Sequence, residues 1–271
     1  MAWIWAALMP HPPIMIPEVG RGQESLAAAT LAGARAIAQN LAARPDGGRV
    51  DGLLILSPHQ PYAPGALFLN AAERLEGSLE RFRAPEVRCR LQTSPTWSDL
   101  ARHLTEAGVM VATRAAPNLT PDHSAMVPLY FLARALNPIP PVIVASPIGL
   151  SPAAALALGQ ALAKWSPGPG AAWALLASGD LSHRLTRSAP AGFNPEGQIF
   201  DREVVAALTA GDPRTLLANW PPDRLDSAGE CGFRSVLALM GLTGGPVQVL
   251  SYEGPFGVGY ANAWWTSPAE G

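Results

Sequence analysis

Cysteine is scarce in this chain. Its 271 residues hold two, Cys89 and Cys231, which make no disulfide framework and fit a reducing cytoplasm. Charge is scarce too, at 15% of residues with a net of −2, so neither nucleic acid nor an anionic membrane surface is an expected partner. Long hydrophobic runs are missing. The best candidate, Val142–Ala163, is cut by Pro147, Gly149, Pro152 and Gln160 and does not reach the roughly 20 apolar residues of a membrane helix. No basic segment precedes the first apolar run, which argues against a secretory signal. No internal repeat and no linker-like break interrupts the composition, so one domain over 1–271 is expected.

What is present is apolar material and turn formers. Hydrophobic residues make up 48% of the chain, beside 28 prolines and 26 glycines. That composition supports a sizeable core and argues against disorder. The prolines and glycines fall mostly between periodic segments, as turns do.

The stretch Trp3–Pro17 reads as a buried strand that stops at Met9 and runs into Pro10-His11-Pro12-Pro13. Proline ends it, having no N–H to give a sheet ladder. The pattern recurs at Gly52–Leu56, followed by Ser57-Pro58-His59. It recurs again at Ala171–Ala177, followed by Ser178-Gly179-Asp180-Leu181-Ser182-His183. Strand exits are where α/β proteins hold ligands, so three imidazoles are expected at one edge of a sheet.

Between these landmarks, Pro17–Gly20 is expected to be a loop. A helix is expected from a Ser25 cap to about Ala43, with Leu26, Leu31, Ala34, Ile37 and Leu41 on one face. The turn Arg44–Gly48 should end it. Further strands are expected at Leu67–Leu69, Val87–Leu91 (as an edge), Gly108–Thr113, Pro141–Ala145, Val247–Ser251 and Ala261–Trp265. Helices are expected at Ser94–Glu106, Ser124–Leu136, Ser151 or Pro152 to Lys164, Phe200–Thr209, Pro213–Ala218 and Glu230–Met240. Asn118–Asp122 should be a loop presenting His123, and Trp220–Gly229 a second loop. Strands alternating with helices argue for an α/β fold with a central mixed β-sheet flanked by helices.

Four of the five histidines, His11, His59, His123 and His183, fall at expected element ends; His103 falls inside a helix and reads as a surface residue. Neutral imidazole is the commonest side-chain metal ligand and titrates near neutral pH. Two histidines and a carboxylate form the facial set that leaves open positions on ferrous iron. His11 and His59 would be two of the ligands, and Glu230, Cys231 or Glu253 the third. Arg184 and Arg234 lie beside these motifs and could hold a substrate carboxylate, or pair with Asp180 or Glu230. Asp180 could orient His183 or a loop N–H. Gly254, Gly257 and Gly259 are not a nucleotide loop, because no helix follows them.

Met9-Pro10-His11-Pro12-Pro13, Ser57-Pro58-His59, Asp122–Leu129, Ser178–His183 and Ala228–Gly232 together resemble the class III extradiol ring-cleavage dioxygenases, of the protocatechuate 4,5-dioxygenase β-subunit type. The likeness runs from about Trp3 to Ala263. It is greatest to members associated with AMMECR-like domains, which in turn resemble Memo-type proteins. The resemblance implies an oxidoreductase with a non-haem Fe(II), zinc or another divalent metal being the alternative cofactor. It implies a small aromatic diol and O2 as partners, His11 and His59 as metal ligands, His183 as acid/base, and His123 as a pocket residue touching substrate or dioxygen. The dioxygenases carry glutamate directly before the glycine matched by Gly232; here that position is Cys231, as in Memo-type proteins. One residue at a helix start changes direction by about 100°, so Glu230 and Cys231 should not face a metal equally. The alternatives are a Memo-type metal-binding protein without ring cleavage, a zinc hydrolase on the same histidines, and a domain whose histidines are structural. Trp264 and Trp265 look exposed enough to serve a homodimer.

Overall fold

The computed structural model describes residues 2–45, 49–115 and 120–267. In chain order the elements are β1 (Trp3–Met9), α1 (Pro17–Gly20), α2 (Ala28–Ala42), β2 (Gly52–Leu56), β3 (Leu67–Asn70), β4 (Arg74–Leu79), β5 (Ala84–Gln92), α3 (Trp97–Glu106), β6 (Val111–Arg114), α4 (His123–Leu132), β7 (Val142–Ser146), α5 (Pro152–Lys164), β8 (Trp173–Ser178), α6 (Pro195–Ala210), α7 (Pro213–Asn219), α8 (Pro222–Ala228), α9 (Phe233–Thr243), β9 (Gln248–Glu253) and β10 (Tyr260–Thr266). This is the expected α/β fold with a central mixed sheet.

Eight strands form that sheet in the order β6-β3-β7-β2-β8-β1-β10-β9. The pairs β2–β7, β2–β8 and β1–β8 are parallel, and β3–β7, β1–β10 and β9–β10 are antiparallel. The three strands that end in the histidine motifs are therefore neighbours running the same way. Met9 pairs with Ser178, and Leu56 with Ala177, so their exits lie at one edge.

Their sequences explain the position. β1, β2 and β8 are apolar along nearly their whole length, as strands covered on both faces must be. One core holds Trp3, Ala6 and Leu8 with α5 and α9; the other holds Trp5, Ala7 and Met9 with α2 and α4. A register shift between Trp3 and Trp5 sends these two indoles to opposite faces. Trp3 meets Trp165 and Trp173, with ring centroids at 5.8 and 6.2 Å. Trp5 stacks on Trp264 at 5.6 Å. Helices α5 and α9 approach closely through glycine: a Cβ on Gly159 would meet the Ala238 carbonyl oxygen at 2.0 Å.

Several expectations are corrected. Pro17–Gly20 forms a helical turn, because Pro17 can open one where no N–H is needed. Ser25 caps nothing: its Oγ donates to the Gly22 carbonyl inside a 3-10 turn, and Leu26 is 63% exposed. Asp46–Gly48 and Asn118 lie outside the described residues. Strand β4 was not foreseen; it pairs with β5 as a separate two-stranded unit, so Val87–Leu91 is no edge of the main sheet. Trp220–Gly229 contains α8, opened by Pro222. Helix α4 stops at Leu132 and α9 begins at Phe233, not Glu230. Trp264 is 6% exposed because Trp5 covers it. His103 is half-buried, bonded through Nε2 to the Ala161 carbonyl at 2.9 Å. Among the described residues no helix is long and apolar enough to cross a membrane.

Candidate metal centre

Each histidine is placed by its backbone and then held by a neighbour. The peptide N–H of His11 donates to Asp180 Oδ1 at 2.9 Å, and its Nδ1 lies 2.9 Å from Ser178 Oγ. Asp180 and Ser178 belong to the exit of β8, so two adjacent strand ends are tied together. Nε2 of His11 is left facing the cluster, 3.2 Å from Nε2 of His59.

His59 follows β2 and is exposed to a cleft. His123 is the first residue of α4. Its ring stacks on His59, with centroids 4.6 Å apart, and meets His11 edge-on at 5.3 Å. Nitrogens of His11, His59 and His123 all lie within 4.8 Å of one another. Asp122 caps α4 by accepting from the Ser124 N–H, and also accepts from Ser57 Oγ at 2.7 Å and Gln60 Nε2 at 2.6 Å. One carboxylate thus binds the start of α4 to the segment carrying His59. Burial opposes its charge, but the hydroxyl and amide donors outweigh burial and hold the carboxyl below its usual range.

His183 approaches from the other side. Its Nδ1 lies 2.8 Å from the Gly229 carbonyl oxygen, which only accepts, so Nδ1 carries the hydrogen and Nε2 is the free lone pair. That Nε2 lies 3.9 Å from Asp180 Oδ2, which is 3.8 Å from His11 Nε2. Burial raises the Asp180 carboxyl to about 6. Burial and the neighbouring His59 lower His11, and burial with His11 and His59 takes His123 down to about 3. At neutral pH these two rings are uncharged and keep a lone pair for a ligand.

The acidic candidates for a third ligand do not reach the cluster as drawn from the sequence. Glu230 Oε2 accepts the Phe233 N–H at 2.6 Å, capping α9, and its Oε1 lies 3.5 Å from Arg234 Nη1. Glu253 accepts from the Thr30 N–H and hydroxyl at 2.5 and 2.6 Å. Cys231 does reach it: Sγ is 3.6 Å from His11 Nε2 and 3.7 Å from the Asp180 carbonyl oxygen. Burial, Asp180 and Glu230 all push its thiol up. Arg234 donates to the Leu150 carbonyl at 2.6 Å and is committed there. Arg184 has a buried Nε without a partner among the described residues and lies over Gly229.

A cleft of about 910 Å³ opens beside the rings, lined by His59 and His123 and by Phe82, Arg81 and Arg88 of the β4–β5 unit. Phe82 faces His123 at 5.2 Å. Sequence reasoning missed this wall and the Gly229 carbonyl, because both arrive through tertiary packing. Ser178 and Ser57 lay within the recognised motifs; their serine hydroxyls beside histidine were the available signal.

The family described as the catalytic LigB subunit of aromatic ring-opening dioxygenase matches residues 5–262. The chain belongs to that family. A relative, protein CA_C1420 of Clostridium acetobutylicum, is 33% identical over 264 residues. The match covers 93% of this chain and 55% of the relative, so the chain spans about half the length of that protein. The crystal structure of uncharacterized protein JW3007 from Escherichia coli K12 is similar in fold, with a TM-score of 0.63 at 16% identity, over 96% of this chain and 99% of that one. As a member of the family, the chain has a dioxygenase-type fold with imidazole, thiol and carboxylate donors gathered where a metal ion would sit.

Proposed function

We propose that this protein is a cytoplasmic, Fe(II)-dependent extradiol dioxygenase that opens the ring of a catechol-type diol with O2. The observation that carries the reading is the convergence of parallel strand exits: His11 and His59 stand 3.2 Å apart, and Asp180 Oδ2 stands between His11 and His183 at 3.8 and 3.9 Å. The donor set fits a borderline divalent ion, since imidazole suits iron and zinc alike.

His11 and His59 would hold the ion. When bound, it supplies Lewis acidity toward the diol oxygens and open positions beside them. The remaining work belongs to side chains. His183, with its proton on Nδ1 toward Gly229, offers Nε2 as general base to one diol hydroxyl and returns that proton to the ring-opened product. Asp180 stabilises the imidazolium so formed and fixes the His11 backbone. Phe82, whose ring lies 5.2 Å from that of His123, gives the aromatic ring of the substrate a flat wall.

A second reading, a Memo-type metal-binding protein without ring cleavage, is favoured by Cys231 Sγ lying 3.6 Å from His11 Nε2. Protein purified without air, loaded with Fe(II) and given O2 and a panel of catechols distinguishes the two. A yellow ring-opened product supports the dioxygenase; tight iron with no product across the panel supports the second reading.

A further inference from the structure

We infer that the metal ion of this chain is held by three imidazoles, His11, His59 and His123, with no carboxylate among its protein ligands. The inference rests on reading the cluster as a metal centre and is independent of ring cleavage.

Glu230 and Glu253, which could complete a two-histidine set, are spent elsewhere, and Asp180, whose Oδ1 takes the His11 N–H and whose Oδ2 stands 3.8 Å from His11 Nε2, clusters with His11 and Cys231 but not with His59 or His123. Turning Glu230 toward the rings would uncap α9 at the Phe233 N–H and remove the acid beside Arg234. A buried donor would be left unpaired in that way. Turning Glu253 would strip two hydrogen bonds from Thr30. Cys231 Sγ lies 3.6 Å from His11 Nε2 and 3.7 Å from the Asp180 carbonyl oxygen, but it clusters with His11 and Asp180 and not with His59 or His123.

The imidazoles, by contrast, are presented together. They come from three elements, the exits of β1 and β2 and the start of α4, and offer one nitrogen each within 4.8 Å. Nitrogens bonded to one ion at about 2.1 Å stand about 3–4 Å apart, and the His11–His59 pair is already at 3.2 Å. The supporting contacts are those a ligand set requires. Ser178 meets the far nitrogen of His11, and Asp122 ties the His123 turn to Ser57 and Gln60 on either side of His59. Three neutral ligands leave the ion its full double positive charge. His59 and His123 also line the 910 Å³ cleft, so the ion would face it. His183 is then the one histidine of the four left to move protons.

The test uses Co(II), whose binding and absorption spectrum are measured without turnover. His123→Ala is expected to weaken Co(II) binding by at least about 10–100-fold, the loss known for mere supporting residues. Glu230→Gln and Cys231→Ser are expected to bind one Co(II) with wild-type affinity, and no thiolate-to-cobalt band should be seen in the wild type. Pulsed electron resonance of Cu(II)-loaded wild-type protein, which needs no variant, should count three imidazoles. Two imidazoles, a thiolate band lost in Cys231→Ser, or unchanged affinity in His123→Ala overturns the inference. Failure of Co(II) and Cu(II) to bind the wild type overturns the metal reading as well, whereas bound metal without ring cleavage overturns only the proposed reaction.

Discussion

His183 and Gly229 are joined twice: the His183 N–H donates to the Gly229 carbonyl at 3.1 Å, and the ring Nδ1 reaches the same oxygen at 2.8 Å. The imidazole is thereby fixed in one tautomer with Nε2 toward Asp180. For this reason His183→Ala is expected to cut turnover by roughly 10²–10⁴-fold while leaving metal content unchanged. Steady-state rates beside elemental analysis of the same sample check this; undiminished turnover removes the acid/base role.

Asp180 serves two histidines, and its Oδ1 is the partner of the buried His11 N–H. Asp180→Ala should destabilise the fold by about 1–3 kcal/mol, the cost of an unpaired buried donor. Asp180→Asn keeps an accepting oxygen and should recover most of that loss in thermal melts, though not the charge beside His183. Equal melting of the two variants would show that the hydrogen bond contributes nothing.

Gly179 packs directly on Gly232, where an added Cβ would stand 2.3 Å from the Gly232 Cα. Both contacts are backbone, so neither side can rotate away. Gly179→Ala should cost about 1–3 kcal/mol and push the Asp180 segment off the Cys231 segment. Lower stability together with weakened metal binding is expected; a variant normal in both contradicts the close approach.

Asp201 lies behind the His183 loop, accepting from the Ser182 N–H at 2.8 Å and from the Tyr252 hydroxyl at 2.8 Å. Burial outweighs these bonds and raises its carboxyl to about 7. The folded state therefore keeps a proton that the unfolded chain loses near pH 4. Its contribution to stability is full below about pH 4 and is lost as pH rises through 7, at up to about 1.4 kcal/mol per pH unit. Asp201→Asn should flatten denaturant-derived stability between pH 4 and 7 relative to wild type. Parallel slopes for the two proteins would falsify the assignment.

Much of the fold was legible in the residues. β1, β2, β7 and β8 announce themselves as short apolar runs closed by proline or glycine, because strands buried on both faces tolerate little else. The three histidine exits were read correctly as neighbours at one edge. Segments without that periodicity misled. Ser25 looked like a cap but lies in a 3-10 turn, and the charged β4–β5 pair carried no core-facing pattern over its length. Trp264 looked exposed because nothing local reveals that Trp5 covers it.

At the cluster, the order of residues along the chain settles which side chains are available and that proline, aspartate and serine stiffen their presentation. Those are local properties of φ, of missing N–H groups and of caps. Which donors converge is a different matter. Glu230 and Cys231 are adjacent in the chain, yet one caps α9 and the other touches His11. Packing of α9 against the sheet chooses between them, because direction at a helix entrance is set by tertiary contacts that neither neighbour encodes alone.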